Sequence, residues 1–164
     1  MLGGKAIVAI LEFPQSAVVC VARVNGFKSA LEGMPDVKIV AQQDGGAMRD
    51  KSMQVFENVL SANPQIDVVF GINDDTILGA MAAAEAAGRA KDMVFIGYDG
   101  TPEAVKLIAS GDSPLKADVA QQPIEIAKQT LEVLKGTFAG KSYEPETPVA
   151  PILITADNAA QFAQ

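Results

Sequence analysis

The chain has 164 residues, 49 % of them hydrophobic and 20 % charged, which is the composition of one globular domain with a real core rather than of a disordered chain. A net charge of −7 disfavours nucleic acid and anionic membrane surfaces as partners, and no apolar run approaches the length of a membrane span. Histidine is absent and Cys20 is the only cysteine, which excludes His-dependent nucleophile pairs and an internal disulfide. Cys20 lies in an apolar stretch and is predicted to be a core thiol.

Strand-like and helix-like segments alternate along the chain, which indicates βαβ units and a mostly parallel sheet. Nearly continuous apolar runs predict strands covered by helices on both faces at 5–12, 37–42, 67–72 and 93–98. Residues 115–120 alternate instead, with Leu115, Ala117 and Val119 expected on one face, so this strand is predicted nearer an edge. A last short strand is predicted at 152–155.

Capping residues and prolines mark the ends of five predicted helices. Ser16 is a candidate cap for the first helix, which is expected to end at Gly33. The next two helices stop at turn signals, and prolines begin the last two: Asn63, Gly88, Pro102 and Pro123. The chain is therefore predicted to be a single α/β unit.

Polar side chains follow five successive strands. In an open parallel sheet, ligands bind outside the carboxyl ends of the strands. Each polar residue alone is explained by a turn or a cap. Together, the residues that follow the five strands predict a binding rim: Glu12, Phe13, Gln42, Gln43, Asp44, Asn73, Asp74, Tyr98, Asp99, Gln121 and Gln122. Amides and carboxylates suit a neutral ligand with adjacent hydroxyls, whereas a phosphate would favour a glycine-rich turn and positive charge.

Other site chemistries are less well supported by the sequence. The segment 136–142, GTFAGKS, is one residue short of a phosphate-binding loop, and no dinucleotide-binding fingerprint follows a strand. Asp74, Asp75 and Asp99 are the candidates for a magnesium site of the phospho-receiver type, but Lys116 begins its strand rather than ending it. No metal or cofactor is predicted, and a binding protein is expected rather than an enzyme.

Three blocks of the sequence are specific: FGINDDTILGAMAAAEAAGR, VFIGYDGTPEAVKLIASGD and ADVAQQPIEIAKQTLEVLKG. They strongly resemble the ribose-type periplasmic sugar-binding proteins of ABC importers, in which two similar lobes flank a cleft and close on a sugar. The resemblance implies a flavodoxin-like three-layer sandwich, with residues 1–164 forming a C-terminal lobe. Residues of about 122–150 then correspond to a segment that crosses to an N-terminal lobe, which this chain lacks together with its signal peptide.

The resemblance also implies ligand contacts for five residues. Arg23, three positions before Gly26, falls where the family places a sugar-binding arginine. The family's ligand-binding asparagine, aspartate and last-strand glutamine, and an aromatic beside the aspartate, correspond to Asn73, Asp99, Gln121 and Tyr98.

Two further contacts, Phe13 and Met48, are expected on the same basis. Phe13 precedes another contact region of the family. Ala47 or Met48 stands where the family often stacks an aromatic ring on the sugar, so the sequence does not identify the sugar.

The implied ligand is a small sugar or polyol. The implied partners of the intact protein are the membrane permease of an ABC importer and the N-terminal lobe, in the periplasm or another extracytoplasmic space. Two alternatives stay open: the effector-binding core of a lactose-repressor-type regulator, which shares the fold, and the phospho-receiver-like domain.

Residues 123–135 carry an apolar stripe of Ile124, Ala127, Leu131 and Leu134 at helical spacing. In the resembled family this helix packs against the N-terminal lobe. Each of the three larger side chains would forgo about 1.5–3 kcal/mol of burial free energy if it were left in water. The helix is therefore expected to fold back on its own sheet or to pair with a second copy in a segment-exchanged homodimer.

Overall fold

The strands assemble into one mixed sheet in a computed structural model that describes residues 4–15 and 18–163. They are β1 Ala6–Glu12, β2 Val37–Asp44, β3 Val68–Gly71, β4 Val94–Asp99, β5 Leu115–Ala120 and β6 Ile152–Thr155. Their order in space is β2-β1-β3-β4-β5-β6, with the first five parallel and β6 antiparallel to β5. The predicted α/β fold with a mostly parallel sheet is confirmed.

Five α-helices are seen in the described part of the chain: α1 Val18–Ser29, α2 Arg49–Ala62, α3 Asp74–Ala86, α4 Pro102–Ser110 and α5 Pro123–Phe138. The first ends at Ser29 rather than at Gly33, which lies in the turn that follows with a φ of +80°. Ser16 lies outside the described residues. None of the helices in the described ranges is long and apolar enough to cross a membrane.

Helices cover the two faces of the sheet unequally. On one face α2, α3 and α4 enclose the larger core, where Phe56 and Phe95 meet edge to face with ring centroids 6.4 Å apart. On the other face α1 packs over the centre of the sheet, and Phe27 stacks on Phe70 at 4.4 Å. Cys20 is buried in this smaller core, as predicted.

The prediction that both faces of the second strand are covered is wrong. β2 pairs with β1 and is the outer strand of the sheet, and Ile39 and Val40 are 40 % and 41 % exposed. An apolar run reports the hydrophobicity of a strand but not its neighbours. The chain places β2 on the side of β1 opposite to β3, at the edge of the sheet, where the helices do not cover both of its faces.

The predicted face of β5 is also wrong, although β5 lies one strand from the edge. Its register with β4 shifts beside Phe95, because Leu115 pairs there and Lys116 is skipped before Ala117. Leu115 therefore joins the larger core, whereas Val119 faces a groove on the opposite side. The same shift turns Asp118 inward, where it is fully buried.

The helix α5 does not fold back on its own sheet, so that version of the prediction is wrong. Ile124 is 73 % exposed and Leu131 is 56 % exposed. The helix contacts the returning segment 141–150 instead, where the Tyr143 hydroxyl donates to the Glu132 carbonyl at 3.4 Å. The sheet beside α1 keeps an open apolar groove of about 480 Å³.

Candidate functional site

Three of the predicted ligand residues contact one another at the carboxyl edge of the sheet. Gln121, which follows β5, donates from Nε2 to Asp99 Oδ1 at 2.7 Å. Arg23 extends from α1, and its Nη1 lies 3.1 Å from the same oxygen. Its Nη1 also donates to the Ile72 carbonyl at 2.8 Å, just beyond β3. The Arg23 guanidinium thus bridges the Ile72 carbonyl, which follows β3, and the Asp99 carboxylate at the end of β4.

Tyr98 holds the guanidinium of Arg23 from one side. The centre of the Arg23 guanidinium lies 3.9 Å from the centroid of the Tyr98 ring, a cation–π contact. The Arg23 side chain is only 14 % exposed, so its position is fixed by packing as well as by hydrogen bonds. A guanidinium has five N–H donors, and the contacts described use few of them.

Asp99 occupies a strained backbone position. Its φ is +125°, a conformation that residues other than glycine rarely adopt, and Gly100 follows at +71°. Burial raises the pKa of Asp99, and the Arg23 charge and the Gln121 amide oppose that shift. The turn therefore presents a partly buried carboxylate whose Oδ1 is engaged by the protein.

Two buried carboxyl groups support this strained turn from below. The Gly100 N–H donates to Asp118 Oδ1 at 2.9 Å, and the Thr101 N–H donates to Asp74 Oδ2 at 2.7 Å. Asp118 was not predicted as part of the site, because the alternation of 115–120 placed it on the outer face. An aspartate between Ala117 and Val119 in β5 is the one sequence signal for it.

Asn73 lies at the same edge and caps α3. Its Oδ1 accepts from the Thr76 N–H at 2.9 Å, and its Nδ2 donates to the Ala47 carbonyl at 3.3 Å. Asn73 and Asp99 line one shallow cavity of about 390 Å³, together with Thr101. The structure thus places Asn73 near the Arg23–Asp99–Gln121 cluster without direct contact to it.

Phe13 and Met48 are not brought into this cluster. Phe13 is partly buried and lines a separate cavity beside Glu12 and Gln42, which hydrogen-bond to each other at 2.7 Å. Met48 precedes α2 and is 58 % exposed. Their contact with a ligand stays a prediction.

The acidic residues considered for magnesium point to different partners. Asp74 is buried and bonded to Thr101, whereas Asp75 forms an ion pair with Arg49 at 3.2 Å. Arg49, which the sequence did not single out, also binds both carboxylate oxygens of Glu103. Across residues 4–15 and 18–163, no three His, Cys, Asp or Glu side chains are grouped to hold a metal ion.

The doubly wound sheet, with polar side chains at the carboxyl ends of its strands, defines the class of α/β folds that use this edge for ligands. The family model of the periplasmic binding protein domain matches residues 1–142. The chain belongs to the periplasmic binding protein family.

Curated relatives match the chain over part of their length. The ribose import binding protein of Bacillus subtilis (strain 168) is 36 % identical over 151 residues, which cover 92 % of this chain and 47 % of that protein. The D-allose-binding periplasmic protein of Escherichia coli (strain K12) is 34 % identical over 132 residues, or 80 % of this chain and 41 % of that protein. The chain thus spans about half the length of these relatives.

Solved structures superpose on nearly the whole chain. An ABC transporter periplasmic solute-binding protein from Actinobacillus succinogenes 130z with bound D-allose has a TM-score of 0.89 and 29 % identity, covering 97 % of this chain and 56 % of that one. A solute-binding protein from Bacillus halodurans C-125 with bound myo-inositol has a TM-score of 0.88 and 26 % identity, covering 99 % and 55 %.

Proposed function

We propose that the chain binds a small sugar or polyol at the carboxyl edge of its sheet, as part of the solute-binding protein of an ABC importer. The observation that carries the proposal is the contact of Arg23, Asp99 and Gln121 at the ends of neighbouring strands. The relatives' names support the ligand class, because ribose, D-allose and myo-inositol are uncharged and carry several adjacent hydroxyls.

The paired charges of the site suit such a ligand. Arg23 and Asp99 neutralise each other, so an uncharged molecule can approach without leaving an unbalanced charge in the cleft. Among the described residues no donor engages Asp99 Oδ2, which is therefore available to accept from a sugar hydroxyl. The unused N–H groups of Arg23 and the Gln121 carbonyl add donors and acceptors on either side.

Tyr98 is assigned a supporting role in this proposal. Arg23 covers one face of its ring, so that face is not available as a platform for a sugar. We infer that Tyr98 keeps the guanidinium oriented, while Asn73 contacts the ligand from the neighbouring cavity.

The chain is proposed to act as one lobe of a two-lobed protein. The exposed apolar surface of α5 supports this, because Leu131 and Leu134 lie where residues 122–150 would cross to an N-terminal lobe. In the intact protein the partner would be the importer's membrane permease, in an extracytoplasmic space. The proposed role is binding and delivery rather than catalysis. Pairing of α5 with a second copy also stays a prediction.

Saturation-transfer difference NMR on the chain tests the proposal with ribose, D-allose, xylitol and myo-inositol. We expect at least one ligand to bind with a dissociation constant of about 1 mM or weaker, since half of a two-lobed site gives much less than half of the free energy. Gln121→Ala is expected to abolish the signal. Gln54→Ala, the same change on the exposed surface of α2, is expected to keep it.

Two outcomes would count against the proposed binding site. Micromolar binding by the chain alone would contradict the proposal that the chain carries only one half of the binding site. No transfer to any of these ligands at about 50 mM, far above the expected dissociation constant, would contradict the sugar site itself.

A further inference from the structure

Two carboxyl groups lie buried side by side beneath the turn that carries Asp99. Asp74 is 2 % exposed and Asp118 is fully buried. Each uses one oxygen to accept a backbone N–H of the turn, from Thr101 and Gly100 respectively. Carboxyl groups this deep in a core are rare unless they are paired or hydrogen-bonded.

The remaining oxygens of the pair adjoin one small space beside Gly97. Asp74 Oδ1 and Asp118 Oδ2 are both buried and lack a donor among the described residues. A Cβ added at Gly97 would lie 2.6 Å from Asp118 Oδ2 and 2.8 Å from Asp74 Oδ1, so both oxygens adjoin the same small space. Two ionised carboxylates there would be two acceptors without a donor, whereas one proton makes one of them a donor to the other.

No cation compensates this pair from the elements packed around it in the described structure. Asp74 comes from the start of α3 and Asp99 from the end of β4, and both are acidic. Arg23 of α1 is engaged by Asp99, and Arg49 of α2, which lines a cavity with Asp74, is engaged by Asp75 and Glu103. β6 presents Ile154 opposite Asp118, and α4 packs on β5 through apolar residues while its charged Glu103 and Lys106 are exposed.

The electrostatics agree with the geometry. Burial, the hydrogen bond to Asp74 and the Asp74 charge together raise the pKa of Asp118 to about 9. The N–H of Gly100 opposes this shift only in part.

We propose that Asp74 and Asp118 share one proton beside Gly97, and that this pair positions Asp99 by holding the N–H groups of Gly100 and Thr101. The pair acts through the turn and does not touch the ligand. Its consequence for sugar affinity rests on the proposed function above, whereas the shared proton itself does not.

The sign of the pH dependence follows from the raised pKa. Asp118 binds its proton more tightly in the folded chain than in the unfolded chain, so raising the pH favours the unfolded chain. Its stabilising contribution is complete below the ordinary aspartate pKa and is lost as the pH rises towards about 9. The turn is therefore expected to loosen in alkaline solution.

Carboxyl ¹³C NMR of the chain tests the shared proton without any ligand. We expect one of the two carboxyl groups to remain protonated at about pH 7. Ordinary titration of both groups, complete by about pH 5, would overturn the proposal.

The variant Asp118→Asn gives a matched thermal test. Asparagine keeps an acceptor for Gly100 and supplies a permanent N–H donor to Asp74. The Tm of the unmodified chain is expected to fall by about 5 °C or more between about pH 6 and pH 9 relative to that of D118N. Parallel profiles for the two proteins would overturn the proposal.

Gly97→Ala provides a second variant that leaves both aspartates in place. Its methyl group would crowd both oxygens and is expected to lower the Tm and to move the carboxyl titration. Gly26→Ala is the control, because a Cβ there meets nothing within 4 Å. An unchanged carboxyl titration in a folded G97A would contradict the shared proton.

Sugar affinity at about pH 6 and pH 9 then tests the positioning role. We expect binding by the unmodified chain to weaken several-fold at the higher pH and binding by D118N to stay constant. Equal pH dependence of both would contradict the positioning role. If neither protein binds any sugar, the proposed function fails, and the carboxyl titration still decides the shared proton.

Discussion

Replacing Asp99 by alanine is expected to weaken sugar binding by about 2–4 kcal/mol in a two-lobed protein that contains this lobe. The change removes the acceptor offered to the ligand. It also leaves the buried Arg23 guanidinium without its counter-charge and the Gln121 amide without its acceptor. Isothermal titration calorimetry measures the loss as a difference in dissociation constant.

The matched control is Asp112→Ala. Asp112 is exposed and precedes β5, so it lies at the opposite edge of the sheet. Its replacement is expected to leave the affinity unchanged. Equal affinity of the Asp99 variant and the unmodified protein would rule out a ligand-binding role for Asp99.

Replacing Phe95 by alanine is expected to lower the free energy of unfolding by about 3–5 kcal/mol. Phe95 is fully buried in the larger core and contacts Phe56 edge to face. Truncation removes apolar contacts and leaves a cavity under the strand that ends in Asp99. Because a domain of this size has a stability of about 5–15 kcal/mol, the variant is expected to be marginally folded.

Urea denaturation followed by circular dichroism measures this change. Phe138→Ala is the control, since Phe138 is 89 % exposed at the end of α5. Its stability is expected to stay within about 0.5 kcal/mol of the unmodified chain. Comparable losses in the two variants would show that Phe95 is not a core residue of the folded chain.

The convergence of the polar residues at one edge of the sheet was predictable from the parallel direction of the strands. Parallel strands direct their carboxyl ends to one edge, so polar residues after successive strands must converge. The contact of Asp99 with Gln121 follows from this rule. The contribution of Arg23 does not, because the direction of a helical side chain depends on how α1 packs. Its position was inferred from the family resemblance alone.

The wrong predictions for β2, β5 and α5 also have physical causes. The apolar run of β2 predicted a strand but not its place in the spatial order of strands. In the structure β2 lies at the edge of the sheet. One residue of register shift in β5 exchanged its faces and placed Asp118 in the core. The stripe on α5 predicted a need for burial, but hydrophobicity does not select a partner surface.

Chemical-shift mapping of the sugar-bound chain is the most direct measurement of where the sugar binds. A ¹⁵N-labelled sample is titrated with the most strongly bound sugar, and the shifts of backbone and side-chain N–H groups are followed. We expect the largest changes at the proposed site, at Arg23, Asn73, Asp99 and Gln121. Changes concentrated at the opposite edge of the sheet, around Asp67 and Asp112, would contradict it.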